Sequence, residues 1–208
     1  MRIITVSREF GSGGRELGKR LATELGWDYY DREIIAEIAR KCSVSEDYAH
    51  YMLGQTFSSS AAITMGQSFH IPEVLQSTQI KLLREQTNVI KEIAARDRDC
   101  VIVGRNADLL LRDYNPLNIF VCADTASKIK RCAERSGKDE NLSEKELLKN
   151  MKAIDKNRKN SREMISDSPW GDPKGYNLII NTSGVEIKKL IPSVAVFAKG
   201  WFESKDKD

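Results

Sequence analysis

The chain has 208 residues, enough for one substantial core, and its 33 Lys and Arg nearly balance 30 Asp and Glu at a formal net charge of +3. So small a basic excess does not point to nucleic acid as a partner, whereas a small anionic ligand fits. No apolar run is long enough to cross a bilayer and no secretory leader is recognisable after Arg2, so a cytoplasmic protein without a membrane partner is expected.

Ile3, Ile4, Thr5 and Val6 form a β-branched run, the mark of a strand covered on both faces. Gly11, Ser12, Gly13 and Gly14 follow, and glycine there permits positive φ and close approach of a ligand. Leu17, Leu21 and Leu25 then share one face of a helix ending at Gly26. A glycine turn leading into a helix start is an anion site, built from backbone N–H groups and the positive helix end. The match to the phosphate-loop pattern G-x-x-x-x-G-K-[ST] is incomplete. With Gly13 as the last loop glycine, Gly14 and Arg15 take the lysine and hydroxyl positions; with Gly14 they fall to Arg15 and Glu16. The first glycine of the pattern is replaced by Arg8 or Glu9.

Residues 27–30 predict a second strand, closed by Asp31, which suits a helix N-cap or a ligand contact equally. Helices are expected over residues 33–40, 45–53 and 73–96, the last with Pro72 at its start and Arg84 and Lys91 on its surface. The Ser- and Gly-rich residues 55–69 read as a flap, whose scattered apolar side chains offer a contact for a homodimer. His50 and His70, not spaced as a metal pair, read as polar surface residues. Cys100 to Val103 is the next strand, and Arg105 and Asn106 follow it where α/β sheets bind ligands. Arginine suits phosphate because its planar fork meets two oxygens. A fourth strand over residues 118–122 leads to a helix carrying Lys128, Arg131 and Arg135 on one face. A polar break at residues 136–141 follows, then a capping box, Ser143 with Glu146, opens a helix whose stripe of Leu147, Met151 and Ile154 turns cationic at Arg158 and Arg162, with Asp155 beside them. A last strand at residues 178–180 precedes a closing helix that Pro192 should kink or split. Four cysteines, Cys42, Cys100, Cys122 and Cys132, lack the spacing of a zinc site, and Cys100 and Cys122 read as buried thiols.

The glycine turn, Leu25-Gly26-Trp27-Asp28-Tyr29-Tyr30-Asp31, Val101-Ile102-Val103-Gly104-Arg105-Asn106, and Asp155-Lys156-x-Arg158 through Asn181-Thr182-Ser183 occur in an order that resembles the cytidylate kinase-like family, a branch of the P-loop nucleoside monophosphate kinases. The resemblance covers nearly the whole chain, and the loop Ser7 to Arg15 is similar to that of this branch rather than of the main cytidylate kinases. It implies an α/β three-layer P-loop kinase fold, a five-stranded parallel sheet flanked by helices, as one domain over residues 1–208. An acceptor arm at 32–72 and a lid at 125–166 go with it. The implied activity is phosphoryl transfer from ATP to a nucleoside monophosphate such as CMP or dCMP, with Mg2+ between the donor phosphates. Arg8, Gly11, Ser12, Gly13, Gly14, Arg15 and Glu16 would hold the donor, Arg8 or Arg15 supplying the missing lysine's charge and Glu16 or water the missing metal ligand. Asp31, Arg105, Asn106 and Asp108 would face the acceptor, while Arg131, Asp155, Arg158 and Arg162 close over the transferring group. The main cytidylate kinases carry Gly-Arg-Asp where Asn106 follows Arg105 here, so a preference for cytosine does not follow. A phosphate-binding module without turnover and a kinase for a non-nucleotide metabolite are the rival readings.

Overall fold

In the computed structural model, which describes residues 1–53, 73–135 and 143–205, the apolar runs form one parallel sheet. Its strands are β1 (Ile3–Arg8), β2 (Asp28–Tyr30), β3 (Cys100–Val103), β4 (Leu117–Cys122) and β5 (Leu178–Asn181), in the order β2-β3-β1-β4-β5. Every neighbouring pair is parallel, with Ile3 beside Cys100 and Ile4 beside Leu117 fixing the central register. The flap at residues 55–69, with its homodimer contact, His70, Pro72 and the break at 136–141 lie outside the described residues.

Alternate residues of each strand enter opposite layers. Ile3, Cys100 and Ile102 join one core with α2 (Arg32–Cys42), α3 (Glu46–Met52) and α4 (Glu73–Ala94). Ile4, Val6, Val101, Val103, Ile119 and Val121 join the other with α1 (Gly14–Leu25) and α8 (Ile187–Lys205). Both faces of β3 are therefore apolar, as a sheet covered on both sides requires, while β1 buries Ile3 on one face and Ile4 and Val6 on the other, with Thr5 donating its hydroxyl to Asn118 Oδ1 at 2.6 Å. The other α-helices among the described residues are α5 (Ala107–Leu110), α6 (Thr125–Arg135) and α7 (Glu144–Glu163), the last opened by the reciprocal Ser143–Glu146 capping box. Pro192 does not divide α8, which runs through it as one helix, the ring removing a single backbone donor toward the preceding turn. Cys100 is buried, whereas Cys122 is only partly covered.

The seat of α1 on the sheet depends on Gly18, because a Cβ there would lie 2.7 Å from Val103 Cγ2 and 3.6 Å from Val6 Cγ2. Alanine ordinarily favours a helix interior by roughly 1 kcal/mol over glycine. Here the methyl meets a stiff β-branched side chain in a filled core. Gly18→Ala is expected to lower stability by about 1–2 kcal/mol in urea denaturation despite that propensity.

Candidate functional site

Past the carboxyl ends of β1 and β3 the chain forms a cavity of about 410 Å³. Arg8, Arg15, Arg32, Arg105 and Arg158 line it, against the carboxylates of Asp31, Glu46 and Asp47. The local fold explains the crowding. Arg8 is the last residue of β1 and Arg15 the second of α1. Arg105 follows Gly104 in a tight turn where both residues have positive φ, 76° and 59°, together with Asn106 at 54°. Arg158 comes from the face of α7 where Ile154, Asn157, Arg158 and Ser161 recur at helical spacing and line the same cavity.

Asp31 is the buried counter-charge, its Oδ2 2.6 Å from Arg15 Nε and its Oδ1 3.8 Å from Arg8 Nη2. Arg105 has no hydrogen bond or ion pair among the described residues. Burial pushes its guanidinium down to about 10, Asp31 pulling it up and Arg158 and Arg15 pulling it further down. Burial lowers Arg8 and Arg158 in the same direction. All three remain cationic at neutral pH. Buried cations with too little counter-charge are costly unless an anion joins them. The cavity is thus arranged for a polyanion.

The loop itself is fixed by main-chain contacts. Gly11 and Gly13 adopt φ of 75° and 82°, and the first helical bond runs from Leu17 N to Gly13 O at 2.9 Å, leaving the amides of Gly14 and Arg15 without intrahelical acceptors. The Ser12 hydroxyl donates to Glu9 O at 2.8 Å, and Phe10 N donates to Asp155 Oδ1 at 2.7 Å. Asp155 also receives Arg158 Nη1 at 2.9 Å, which in turn reaches Arg8 O at 3.0 Å. Helix α7 is therefore docked on the loop by one acid and one arginine. Burial raises Asp155, while Arg158 and the Phe10 amide lower it.

Not every expected residue meets the cavity. Arg131 lies on the other flank of the loop, donating to Thr182 Oγ1 at 3.1 Å, Val185 O at 3.1 Å and the carbonyl of Thr182. There it lines a second cavity of about 330 Å³ with Glu16, Ser127 and Gly184. Glu16 pairs with Arg20 at 2.8 Å. Arg162, expected over the transferring group, and Asp108, expected to face the acceptor, are instead a buried ion pair at 2.5 Å with side chains 1% and 2% exposed. The physical reason is helix phase, since each i to i+4 step rotates about 40°, and two steps from Ile154 carry Arg162 off the cavity face. Asn106 lines the cavity, but its amide nitrogen is engaged by Ser161 O and Oγ, both at 3.1 Å. Arg84 is exposed and lines neither cavity.

Sequence reasoning did not bring several wall residues to the site, among them Glu46, Asp47, Asn157, Ser161, His50, Trp170 and Ser7. His50 is exposed at the polar surface as expected, yet it also lines the cavity, and burial with nearby Arg105, Arg158 and Arg8 lowers it toward the neutral form. Its helix is seven residues long, too short for a periodic signal. Trp170, packed edge-on to Phe120 at 5.4 Å, arrives from a loop, and Ser7 from the strand end.

Residues 3–184 match the model of the cytidylate kinase-like family. The chain belongs to that family. A crystal structure of an uncharacterized protein from Eubacterium ventriosum is 26% identical, with a TM-score of 0.69 over 96% of this chain and 99% of that one. Shikimate kinase from Bacteroides thetaiotaomicron shares the fold at 14% identity and TM-score 0.56, over 97% and 98% of the two chains. Shikimate kinase from Aquifex aeolicus does so at 13% identity and TM-score 0.53, over 96% and 97%. No curated protein matches the sequence. These relations establish a P-loop kinase fold and support phosphoryl transfer in general terms. No helix among the described residues is long and apolar enough to cross a membrane.

Proposed function

We propose that the protein transfers a phosphoryl group from ATP to a small anionic acceptor, a nucleoside monophosphate such as CMP or dCMP being the acceptor its family suggests. The observation that carries this reading is the convergence of Arg8, Arg15, Arg105 and Arg158 on one cavity around the buried carboxylate of Asp31. Phosphoryl transfer needs positioning and charge neutralisation more than a protein nucleophile. In this reading the amides at the start of α1 and the adjacent arginines hold the donor phosphates. Arg105, in the turn after β3 and without an ion pair among the described residues, holds the acceptor's anionic group. Residues 125–166 act as the lid, Arg158 being fixed over the loop by Asp155, and residues 32–72 as the acceptor arm, contributing Arg32 and His50.

The described residues do not build a magnesium cage. Arg15, at the position of the usual hydroxyl ligand, is committed to Asp31, the Ser12 hydroxyl is spent on Glu9 O, and no group of three candidate ligands occurs. Magnesium held mainly by the donor phosphates and water needs no such cage, and the guanidinium groups supply the protein's own share of the charge neutralisation. No disulfide joins Cys42, Cys100, Cys122 and Cys132, which suits a reducing, cytoplasmic setting.

One observation favours a second acceptor class. Asn106, at the place where the main cytidylate kinases read the nucleoside, has its amide nitrogen tied to Ser161. That supports a non-nucleotide anionic metabolite. A coupled assay with ATP against CMP, dCMP, UMP and a panel of phosphorylated or carboxylated metabolites separates the readings. Turnover with a pyrimidine monophosphate is the expected result. Turnover with a metabolite alone selects the second class, and saturable ATP binding without turnover on any acceptor overturns the catalytic reading.

A further inference from the structure

The phosphate-loop pattern places a lysine directly after its last glycine, where it reaches the β- and γ-phosphates. In this chain Gly13 is the N-cap of α1, so that position is Gly14, the first helical residue. The structure shows why no side chain stands there. A Cβ on Gly14 would lie 2.5 Å from Arg8 Cβ, 3.0 Å from Arg8 Cγ and 3.3 Å from Val121 Cβ. The space belongs to Arg8. Its guanidinium then passes over Gly104, where an added Cβ would fall 1.6 Å from Arg8 Nη1. Two glycines, far apart in sequence, thus make one channel for a single arginine.

Arg15, the other cation near the loop, is differently placed. Its Nε is 2.6 Å from Asp31 Oδ2 and its side chain is 49% exposed. The Arg8 side chain is 15% exposed, and its closest carboxylate oxygen is 3.8 Å away, beyond hydrogen-bond reach. Arg8 also makes no side-chain hydrogen bond among the described residues, although it lines the cavity. We infer that Arg8 is the cation that meets the terminal phosphates of a nucleoside triphosphate, performing from the end of β1 the task a lysine performs from the start of the helix. The side chain remains protonated throughout and forms no bond to phosphorus, so its contribution is electrostatic and positional. The inference rests on the proposed phosphoryl transfer for the nature of the ligand.

The test relocates the cation. Arg8→Ala, Arg8→Gly and the double variant Arg8→Gly with Gly14→Lys are compared with the unmodified protein. Calorimetry with a non-hydrolysable ATP analogue reads donor affinity, and steady-state rates are taken with ATP and the best acceptor. The double variant carries glycine at position 8 because the Cβ of an alanine there would still crowd the Cβ that the second substitution introduces. Arg8→Ala is expected to weaken the analogue about 10–100-fold and kcat about 10²–10³-fold, with the acceptor KM little changed. The double variant is expected to bind the analogue at least about 10-fold more tightly than Arg8→Gly, one charge-assisted contact having been restored. Unchanged analogue affinity in Arg8→Ala overturns the inference, as does a loss confined to the acceptor KM. So does a folded double variant that binds no better than Arg8→Gly; should it not fold, Arg8→Ala decides alone. Absence of turnover in the unmodified protein would defeat the proposed function, while the analogue titration would still decide the role of Arg8.

Discussion

Arg105→Ala is expected to lower kcat/KM for the acceptor about 10²–10³-fold, through KM above all, and to leave the fold at least as stable as before. Both halves follow from the same observation. Arg105 lines the cavity with no partner of its own among the described residues, so its charge is unmatched in the free protein. It is pushed down to about 10, chiefly by burial, with only Asp31 pulling the other way against Arg158 and Arg15. A charged hydrogen bond contributes roughly 1.5–3 kcal/mol, and a desolvated donor aimed at developing charge somewhat more. That energy is absent until an anion arrives, so removing the side chain costs binding and not folding. The left-handed backbone, φ 59°, is no worse for alanine than for arginine. Arg105→Lys should recover only part of the loss, because an ammonium cannot grip two oxygens at once. Steady-state kinetics beside thermal melts check both halves. Unchanged acceptor KM removes Arg105 from the acceptor site.

The layers of this fold are legible because its strands carry their instructions locally. Cys100 to Val103 is apolar on both faces, Ile3 to Val6 is so but for the buried Thr5, and both demand helices above and below. Gly11, Gly13 and Gly26 mark turns because they take positive φ, which those turns require. The Ser143–Glu146 box announces α7 for the same reason, being complete within four residues. The site was only partly legible. Arg8, Arg105 and Arg158 could be placed because strand ends and a helix stripe point at the ligand side of such sheets. Arg131 could not, since its partners at Thr182 and Val185 are more than fifty residues away. Nor could the dependence of Gly14 on Arg8, a contact between side-chain space at two points of one turn. Periodicity shows which face a residue takes. It does not say whether a cation on that face meets solvent, a ligand or an acid from another element.

Arg162 is where that distinction has the largest consequence for stability. Its Nη1 is 2.5 Å from Asp108 Oδ2, its Nε donates to Ser168 O at 2.8 Å, its Nη2 reaches Ser168 Oγ at 3.2 Å, and it lies over the Tyr176 ring at 5.6 Å. Asp108 Oδ1 is buried with no hydrogen-bond partner among the described residues, so the carboxylate depends on Arg162 for its charge balance. Arg162→Met would leave a buried carboxylate unpaired, which costs about 3–5 kcal/mol and, for a chain of this length, lowers Tm by about 10 °C. Replacing both partners, Arg162→Met with Asp108→Leu, is expected to recover most of that loss, because apolar side chains of similar volume leave no orphaned charge. The pair also holds the end of α7 against α5, directly after the turn that presents Arg105, and Asn106 is bound to Ser161 beside it. A modest rise in acceptor KM should therefore accompany the loss of stability and be relieved in the double variant. A phosphate-facing Arg162 would behave in the opposite way: the single variant would fold normally and lose kcat, and the second substitution would restore nothing. Thermal melts and kinetics on the same three proteins distinguish the two.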